Sequence, residues 1–408
     1  MSVLESAIFE KIRAFRRHLH ANPELSLEET ATSAFICKHL DELGIRYKTL
    51  AGTGIVADFD GPSDSKRVAF RADIDALPIV EETGLDFASQ TDGVMHACGH
   101  DGHASILYGL ALLLSKEKQL PVSVRLIFQP AEEIAVGAKA MIDAGVLQDV
   151  DMIFGLHIDR HYPVGTVMVS DDYVNAASDK FSIRVSGESG HAARPHEAVD
   201  AVVVGSLIVS SLQTIVSREV DPAHPSVVTI GKFEAGTAAN VIAGQALLEG
   251  TIRTLDTDVR EYITDAITRI AEFAGKLHGA HVEAEFRLGT PSLKNDSSLV
   301  PLAKQAVVNA VGNEQLVPKS AVNMGGEDFS YYLNECPGVM VRLGGQFKDK
   351  ESFPAHSSRF DFVHPSFFGQ NRMEPTGGFP VLFCGCFTTH QLEDRRKLAV
   401  MPWRPRFT

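Results

Sequence analysis

The spacing of apolar residues in the first part of the chain alternates between two periods. Short runs rich in β-branched and aromatic residues predict strands at Lys66–Ala72 and Val122–Gln129. Apolar residues three and four positions apart predict helices over 4–20, 28–43, 101–116 and 135–145, with Gly44 as a C-cap. Because strands that alternate with helices form helix-covered parallel sheets, we expect an α/β fold with a mostly parallel sheet and flanking helices.

A different order of elements begins near residue 178. Strands are predicted at Asp179–Ser186, Ser226–Glu234, Gln245–Thr254 and His281–Leu288, and helices at Glu197–Val216 and Asp258–Gly279. The order β-α-β-β-α-β is that of a ferredoxin-like α+β unit. Since the α/β pattern resumes near residue 297, we expect this unit to interrupt the larger domain. The predicted division is 1–177 and 290–362 for the larger domain, 178–289 for the inserted domain, and 363–408 for a C-terminal tail.

Charge and composition exclude several classes of protein. The 408 residues include 38 Lys and Arg and 52 Asp and Glu, a net charge of −14, and no basic block, so no nucleic acid partner is expected. The N-terminus mixes charged and apolar residues, unlike a signal peptide. The longest apolar stretch, Ala201–Val216, is shorter than the roughly 20 residues that cross a bilayer, so it predicts a buried helix and no membrane partner. Five cysteines without a framework spacing predict a cytoplasmic location.

The densest chemical segment is HACGHDGH, residues 96–103. Cys98 and His100 are two positions apart, so both can face one side of an extended loop and close on one metal ion. A polar turn that starts a helix, with Asp101 as its N-cap, is the alternative for these residues. The cluster as a whole favours a metal site.

Two acidic segments follow apolar strands. RADIDALP puts Asp73 and Asp75 at a strand end, where α/β sheets place active sites, although such residues also cap turns. QPAEE puts Glu132 and Glu133 side by side, a pattern that more often marks a solvated face. At a strand exit, neighbouring side chains point different ways, so one can bind metal while the other acts as a general base on water.

Two single histidines complete the set of polar strand ends. His157 closes the apolar run FGLH, and His356 lies in AHSS. Each histidine alone is weak support for a metal site. The four segments together, at strand ends of one α/β layer, predict one.

At this point the chain resembles a known family. RRHLHANPELSLEE, RADIDALP, HACGHDGH, QPAEE, GLH, GHAARP, AANVIAG, GTIRT, MGGEDFSYY and HSSRFDF occur in order between about residues 8 and 362. They are similar to the aminoacylase–hippurate hydrolase branch of the dinuclear metallopeptidases. That branch includes N-acyl-amino-acid amidohydrolases and indole-acetyl-amino-acid hydrolases.

The resemblance implies a role for each matched residue. Glu132 corresponds to the general acid/base, and Asp73 to an aspartate that lies behind the ligands and tunes them. His191 corresponds to a residue that reaches another subunit's site and stabilises the oxyanion, a task suited to an imidazole donor. Asn240 and Arg253 correspond to residues that hold the substrate carboxylate, for which a guanidinium is well shaped. The residues that correspond to metal ligands are Cys98, His100, Glu133, His157 and His356.

The residues alone leave other roles open for two of these positions. Arg253 also suits a strand-edge salt bridge, and His191 a loop histidine. Five ligands of mixed type exceed what one tetrahedral ion with an open position uses, so we expect two divalent ions per chain. A Cys/His/Glu set suits zinc, and also manganese, cobalt or nickel.

The expected activity is metal-dependent hydrolysis of the amide bond of an N-acyl amino acid, a small molecule carrying an N-acetyl, N-benzoyl or indole-acetyl group. A dipeptidase or carboxypeptidase on the same scaffold is one alternative. An inactive metal-binding relative is the other, because the tail Val363–Thr408 has five prolines, scattered glycines and no sustained helical period where the family has a closing helix. A general base beside the metal favours an enzyme over a pure binding protein.

The inserted domain also predicts assembly. Its four-stranded sheet has an outer edge strand, which is a template for pairing with another chain. Its first helix is more apolar than one sheet face requires. Both features favour a lid and dimerisation domain and a two-fold homodimer, from which a tetramer can be built.

Overall fold

The structure, a computed structural model, describes residues 3–362. Its α-helices are α1 (Val3–Ala21), α2 (Thr30–Glu42), α3 (His100–Leu114), α4 (Gly137–Asp143), α5 (Ala201–Thr214), α6 (Thr257–His278), α7 (Val300–Val311) and α8 (Phe329–Glu335). Its first eight strands are β1 (Tyr47–Leu50), β2 (Gly54–Phe59), β3 (Arg67–Asp73), β4 (Ser123–Gln129), β5 (Met152–Pro163), β6 (Val167–Val169), β7 (Tyr173–Asn175) and β8 (Ala177–Ser186). The others are β9 (Gly190–His191), β10 (Ser226–Ala235), β11 (Val241–Ile242), β12 (Gln245–Thr254), β13 (His281–Arg287), β14 (Leu293–Lys294), β15 (Leu316–Val317) and β16 (Gly338–Gln346).

The chain divides into two compact units. The inserted unit consists of Tyr173–Lys294 and Ala321–Ser330, and the large unit of the described residues of Met1–Asp172, Asn295–Ser320 and Tyr331–Thr408. The sequence pattern places the insertion at 178–289. It does not reveal that 321–330 belongs with it, because that segment has no sustained apolar period. The tail 363–408, which the sequence singles out as atypical, lies outside the described residues.

The large unit is built on an eight-stranded sheet with the strand order β1-β2-β4-β3-β5-β16-β6-β15. The four central strands, β4, β3, β5 and β16, are parallel. β1 and β2 extend one side as an antiparallel pair that joins β4 antiparallel. The predicted α/β class with a mostly parallel sheet is therefore confirmed, while the short edge strands are additions that periodicity does not predict.

The buried helix of the large unit is α3. Nearly all of its residues are buried, and its sequence HDGHASILYGLALLL is apolar around most of its circumference, as a helix surrounded by protein requires. It contacts α1 and the sheet strands β3, β4 and β5. The first turn of α3 carries His100 and Asp101, so two polar side chains enter the protein interior at the start of an apolar helix.

The inserted unit is a four-stranded antiparallel sheet with the order β10-β12-β8-β13. With α5 and α6 its chain order is β-α-β-β-α-β, the order expected from the sequence. Both helices contribute buried residues to a core that is separate from that of the large unit. β10 and β13 are the two edge strands of this sheet.

The prediction that Ala201–Val216 is a buried helix is only partly right. One face of α5 is buried and includes Val204, Ile208 and Leu212, but Val202 and Val203 are 40% and 48% exposed. Ala201–Glu219 is also the one helical stretch among the described residues that could cross a membrane by length and apolar composition alone. The described residues of the chain thus leave an apolar face of α5 exposed.

A buried ionic network ties α1 to the first turn of α3. The Asp101 carboxylate accepts hydrogen bonds from Arg16 Nε and His20 Nδ1, both over 2.9 Å. The other ring nitrogen of His20 lies 3.2 Å from Glu81. Burial alone would lower the pKa of His20, but its hydrogen bonds to Asp101 and Glu81 outweigh burial and raise the pKa to about 9. Asp101 is therefore not the N-cap of α3, a position occupied by Gly99, but the anion that holds two helices together.

We predict that this histidine makes stability depend on pH. A pKa raised from 6.5 to about 9 stabilises the folded state fully below pH 6.5, and that stabilisation is lost as the pH rises through 9. The difference between the free energies of unfolding of wild type and His20→Gln should therefore fall by on the order of 3 kcal/mol between pH 6.5 and 9. Urea denaturation of both proteins between pH 6 and 9.5 measures it. His161→Gln, at an exposed histidine, is the control, and parallel curves for wild type and His20→Gln would contradict the prediction.

Candidate metal centre

The parallel strands bring the predicted ligands to one edge of the large sheet. β3 ends at Asp73, and β4 leads directly into the segment that carries Glu132 and Glu133. His157 lies on β5, which neighbours β3 in the sheet. Because parallel strands present their carboxyl ends at the same edge, side chains 84 positions apart in sequence, such as Asp73 and His157, converge there.

His100 has one nitrogen held by the backbone and the other directed at carboxylates. Its Nδ1 lies 2.9 Å from the carbonyl oxygen of Asp75 and therefore carries the proton that it donates. Its Nε2 is buried and has no hydrogen-bond partner among residues 3–362. That atom is 3.7 Å from Asp73 Oδ2 and 3.8 Å from Glu133 Oε1. Burial would lower the pKa of His100, but the charge of Asp73 raises it well above its usual value, so this nitrogen holds a proton in the metal-free chain. A divalent cation between these carboxylates would replace that proton.

Cys98 and His157 form the next pair. The Cys98 sulfur lies 3.5 Å from His157 Nε2, while His157 Nδ1 donates to the carbonyl oxygen of Ile158 over 2.7 Å. Burial, and then the charge of Arg342, keep the pKa of His157 well below its usual value. His157 is therefore neutral and presents its lone pair on the side of the thiol, the form in which histidine binds metal. Gly99 (φ 93°) follows Cys98 in the left-handed region that favours glycine.

His356 approaches from a different loop. Its Nε2 lies 3.3 Å from Glu133 Oε2, and its backbone N–H donates to the carbonyl oxygen of Ala97 over 2.8 Å. The residue has a left-handed backbone (φ 65°), which is uncommon outside glycine. The loop of His356 is thus bound directly to the loop of Cys98, which explains how a residue near the end of the described chain joins the same cluster.

The charges at the cluster fit a divalent cation. Burial, together with the nearby Asp75 and Asp73, raises the pKa of Glu133 to about 7, and burial also raises the pKa of the Cys98 thiol. Both shifts record excess negative charge in a space with little water. Like His100 Nε2, Glu133 Oε1 is buried and has no hydrogen-bond partner in the described part of the chain. Added positive charge would satisfy these atoms and stabilise the ionised forms that bind metal.

Asp73 belongs to a support network behind the cluster. Its carboxylate accepts from Arg71 over 2.7 Å and from His103 Nδ1 over 2.6 Å. Burial would raise the pKa of Asp73, but His100, His103 and Arg71 lower it well below its usual value. His103 Nε2 in turn accepts from the N–H of Ile158 over 2.9 Å, so both nitrogens of this histidine are used and neither remains for a metal.

Asp75, to which the sequence alone assigns no role, supports two of the predicted ligands. Its carboxylate accepts from the backbone N–H of Glu133 over 3.0 Å and from the Ser26 hydroxyl over 2.7 Å. Its main chain orients His100, so one residue fixes two predicted ligands. The feature of the sequence that indicates this role is the spacing of Asp73 and Asp75, because alternate residues of an extended segment face the same side.

The remaining predicted residues belong to the inserted unit. β9 pairs with β11 so that His191 lies opposite Val241, and the carbonyl oxygen of Asn240 accepts from the N–H of Ala192 over 3.1 Å. His191 and Asn240 are therefore neighbours, and both are exposed. Both residues are close in sequence to the end of the sheet at which β8 ends and β12 begins.

Arg253 lies toward the other end of that sheet, paired with Ser178 near the start of β8. Eight residues separate it from the start of β12, a distance of about 26 Å along a strand. β12 is an interior strand, and Arg253 forms no ion pair with any residue that the structure describes. The strand-edge salt bridge considered for it is thus not formed there. Asp179 binds Arg260 instead.

Comparison with known proteins places this arrangement in a family. Residues 69–366 match peptidase family M20/M25/M40. An N-acetyl-L-cysteine deacetylase of Bacillus subtilis is 40% identical over 341 residues, 83% of this chain and 81% of that protein. Thermostable carboxypeptidase 1 of Saccharolobus solfataricus is 39% identical over 352 residues, 85% of this chain and 88% of that protein.

A solved structure is also similar. The crystal structure of a Bacillus subtilis protein, described as a dinuclear metal binding peptidase from the M20 family, has a TM-score of 0.79 and 34% sequence identity. The match covers 93% of this chain and 98% of that chain. The chain belongs to peptidase family M20/M25/M40 and is a hydrolase that uses divalent metal.

We predict that Asp75 sets metal affinity without binding metal itself. Asp75→Ala removes the acceptor that fixes the backbone of Glu133, and such a loss behind a ligand weakens metal binding by about 10- to 100-fold. Titration of the apoprotein with Zn²⁺ or Mn²⁺ against a competing chelator measures this. Ser26→Ala, which removes only the other hydrogen bond to the same carboxylate, should change affinity little. Wild-type affinity in Asp75→Ala would contradict the assignment.

Proposed function

We propose that this protein hydrolyses the amide bond of N-acyl amino acids, releasing a carboxylic acid and a free amino acid, with Glu132 as the general base. The observation that carries the proposal is the placement of two adjacent glutamates at the exit of β4. Glu133 faces His356 and His100, whereas Glu132 Oε2 approaches His100 Nε2 at 3.9 Å and is more exposed. The N-acetyl-L-cysteine deacetylase relative supports a substrate of this class.

Two divalent ions are proposed for the cluster, held by Cys98, His100, Glu133, His157 and His356. The ligand atoms of Cys98, His100 and His157 lie within 4.8 Å of one another, and so do those of Cys98, Glu133 and His356. Cys98 belongs to both groups, so five residues make two ligand sets, which supports two ions rather than one. Zinc, manganese, cobalt and nickel all accept such ligands.

Divalent ions at this position polarise a carbonyl group and lower the pKa of water. The residues of the chain supply the rest of the chemistry. Glu132 accepts a proton from the attacking water and passes it to the departing amine nitrogen. Asp73 holds negative charge close to His100 and strengthens its affinity for a cation. The raised pKa of Glu133 in the metal-free chain means that metal binding should displace a proton.

The substrate's free carboxylate is proposed to bind Asn240 and Arg253, and its oxyanion His191. Within one chain the topology puts Arg253 about 26 Å along β12 from the end that carries His191 and Asn240. One small substrate cannot meet both groups in a single chain. A dimer in which His191 and Asn240 come from one chain and Arg253 from the other removes the difficulty.

The surface of the inserted unit supports such a homodimer. The exposed face of α5 carries Val202 and Val203, and the edge strand β10 carries exposed Val227 and Phe233. An apolar helix face beside an unpaired strand edge is suited to a two-fold contact with a second copy. Pairing of two such dimers would give a tetramer. The described cysteines Cys37, Cys98 and Cys336 are free, which supports a cytoplasmic location.

A carboxypeptidase or dipeptidase is the second candidate, and the Saccharolobus solfataricus relative favours it. The same cluster can hydrolyse a peptide bond, since the carboxylate-binding residues suit a C-terminal amino acid as well as an N-acyl one. The difference lies in the acyl side of the substrate.

We predict that metal-loaded protein releases amino acids from N-acetyl, N-benzoyl or indole-acetyl amino acids faster than from dipeptides. Glu132→Gln should lower kcat by at least about 10²- to 10⁴-fold while keeping the wild-type metal content. Glu133→Gln should instead lose metal. An amine-release assay and elemental analysis measure both quantities, with two ions per chain expected. Faster release from dipeptides would favour the peptidase, and an active Glu132→Gln would overturn the proposed base.

We predict that two inactive variants restore activity when their subunits exchange. A dimer of Glu132→Gln with His191→Ala contains one site with an intact Glu132 and a partner's intact His191. Mixed chains should therefore recover up to about a quarter of the wild-type activity, since random exchange makes half the dimers mixed and each has one complete site. Labelled subunits establish that exchange occurs. Exchange without recovery would mean that His191 does not act across the interface.

A further inference from the structure

The segment before Glu132 has an unusual backbone. Ala131 lies in the left-handed region (φ 52°), and so does Ala135 (φ 57°). Alanine adopts this conformation only where the surrounding structure holds it there. The direction in which Glu132 leaves β4 therefore depends on contacts that fix Ala131.

One buried carboxylate supplies such a contact from far away in the sequence. Glu29 is completely buried, and its Oε1 accepts the backbone N–H of Ala131 over 2.9 Å. The same oxygen accepts the N–H of Leu27, another left-handed residue (φ 70°), over 3.0 Å. Its Oε2 accepts the hydroxyl of Thr53 over 2.6 Å. Glu29 thus binds the N–H groups of two left-handed residues in separate loops.

The turn is also closed from its other side. The carbonyl oxygen of Ala131 accepts the N–H of Gly137 over 3.1 Å. A side chain at Gly137 would come within 1.6 Å of the carbonyl oxygen of Pro130, so only glycine fits there. On the far side of Glu132, the N–H of Glu133 is held by Asp75. Glu132 therefore lies between two backbone N–H groups, each bound by a buried carboxylate.

We infer that Glu29 is a positioning residue for Glu132: by holding the N–H of Ala131, it aims the general base at the reacting water. The inference rests on the proposed role of Glu132. In the part of the chain that the structure describes, the Glu29 carboxylate bonds to Leu27, Thr53 and Ala131 and to no proposed metal ligand side chain. Burial raises its pKa, and the hydrogen bonds it accepts from Thr53, Ala131 and Leu27 act in the opposite direction. What the turn needs is an acceptor oxygen at this place, and a neutral amide can supply one.

The test compares substitutions that keep or remove this oxygen. Glu29→Gln can still accept from Ala131 and Leu27 through its amide oxygen, so its kcat should stay close to wild type. Glu29→Ala should lower kcat by about 10- to 100-fold, the effect of a displacement of about 1 Å at a catalytic group, with KM and metal content near wild type. Thr53→Val, which removes a hydrogen bond from the same carboxylate but leaves Ala131 bound, is the matched control.

Ala131→Gly separates positioning from a general loss of stability. Glycine adopts φ 52° readily, so the turn needs less help from Glu29 and the effect of Glu29→Ala on kcat should shrink in this background. If Glu29→Ala is insoluble, Glu29→Asp replaces it, because the shorter carboxylate cannot reach both N–H groups. Equal losses of kcat with and without Ala131→Gly, or a Glu29→Ala protein with wild-type kcat, would overturn the inference.

Glu132→Gln in the same assay distinguishes failure of the inference from failure of the proposed function. If Glu132→Gln is active, Glu132 is not the general base, and the proposed function and the inference about Glu29 both fail, whatever the activity of Glu29→Ala. An inactive Glu132→Gln beside a fully active Glu29→Ala refutes the positioning role alone.

Discussion

Four carboxylates meet at one edge of the large sheet, and their repulsion in a space with little water must be offset by positive charge. Asp73, Asp75, Glu132 and Glu133 lie around a single imidazole, that of His100. Arginine and histidine side chains behind the cluster neutralise part of this charge, most directly Arg71 at Asp73. The remainder is available to divalent ions. The excess of negative charge destabilises the folded, metal-free chain, and the same charge therefore gives the centre its affinity for cations.

The N-terminal segment determines much of this geometry although it contains none of the proposed metal ligands. Arg16 and His20 hold Asp101 beside His100, and Glu29 holds the turn before Glu132. These contacts come from the run RRHLHANPELSLEE, whose charged residues look like an ordinary amphipathic helix and turn. Three of its polar side chains, those of Arg16, His20 and Glu29, are instead buried, which accounts for their presence on elements that otherwise pack an apolar core.

Sequence reasoning could predict the α/β class, the inserted β-α-β-β-α-β unit and the segments that meet at the centre. These follow from periodicity and from polar residues at strand ends, as at Asp73 and Glu132. It could not predict the roles of Asp75, His103 and Glu29, because each acts through a backbone group or a carboxylate distant in sequence. The sequence predicts α5 both as a buried helix and as a helix with more apolar surface than one sheet face requires, and only the exposure of Val202 and Val203 separates the two. Apolar composition does not distinguish burial within a chain from burial against a second one.

The place of β16 in the sheet constrains how the protein is made. This strand lies between β5 and β6, in the middle of the large sheet, yet it is the last strand in the described chain. The large sheet cannot be completed until residue 346 has left the ribosome, whereas Tyr173–Lys294 is synthesised as one continuous stretch before that point. During synthesis the edge of β5 that pairs with β16 stays exposed, and an unpaired strand edge favours aggregation until β16 is made. Exposed strand edges of this kind are what chaperones protect in newly made chains.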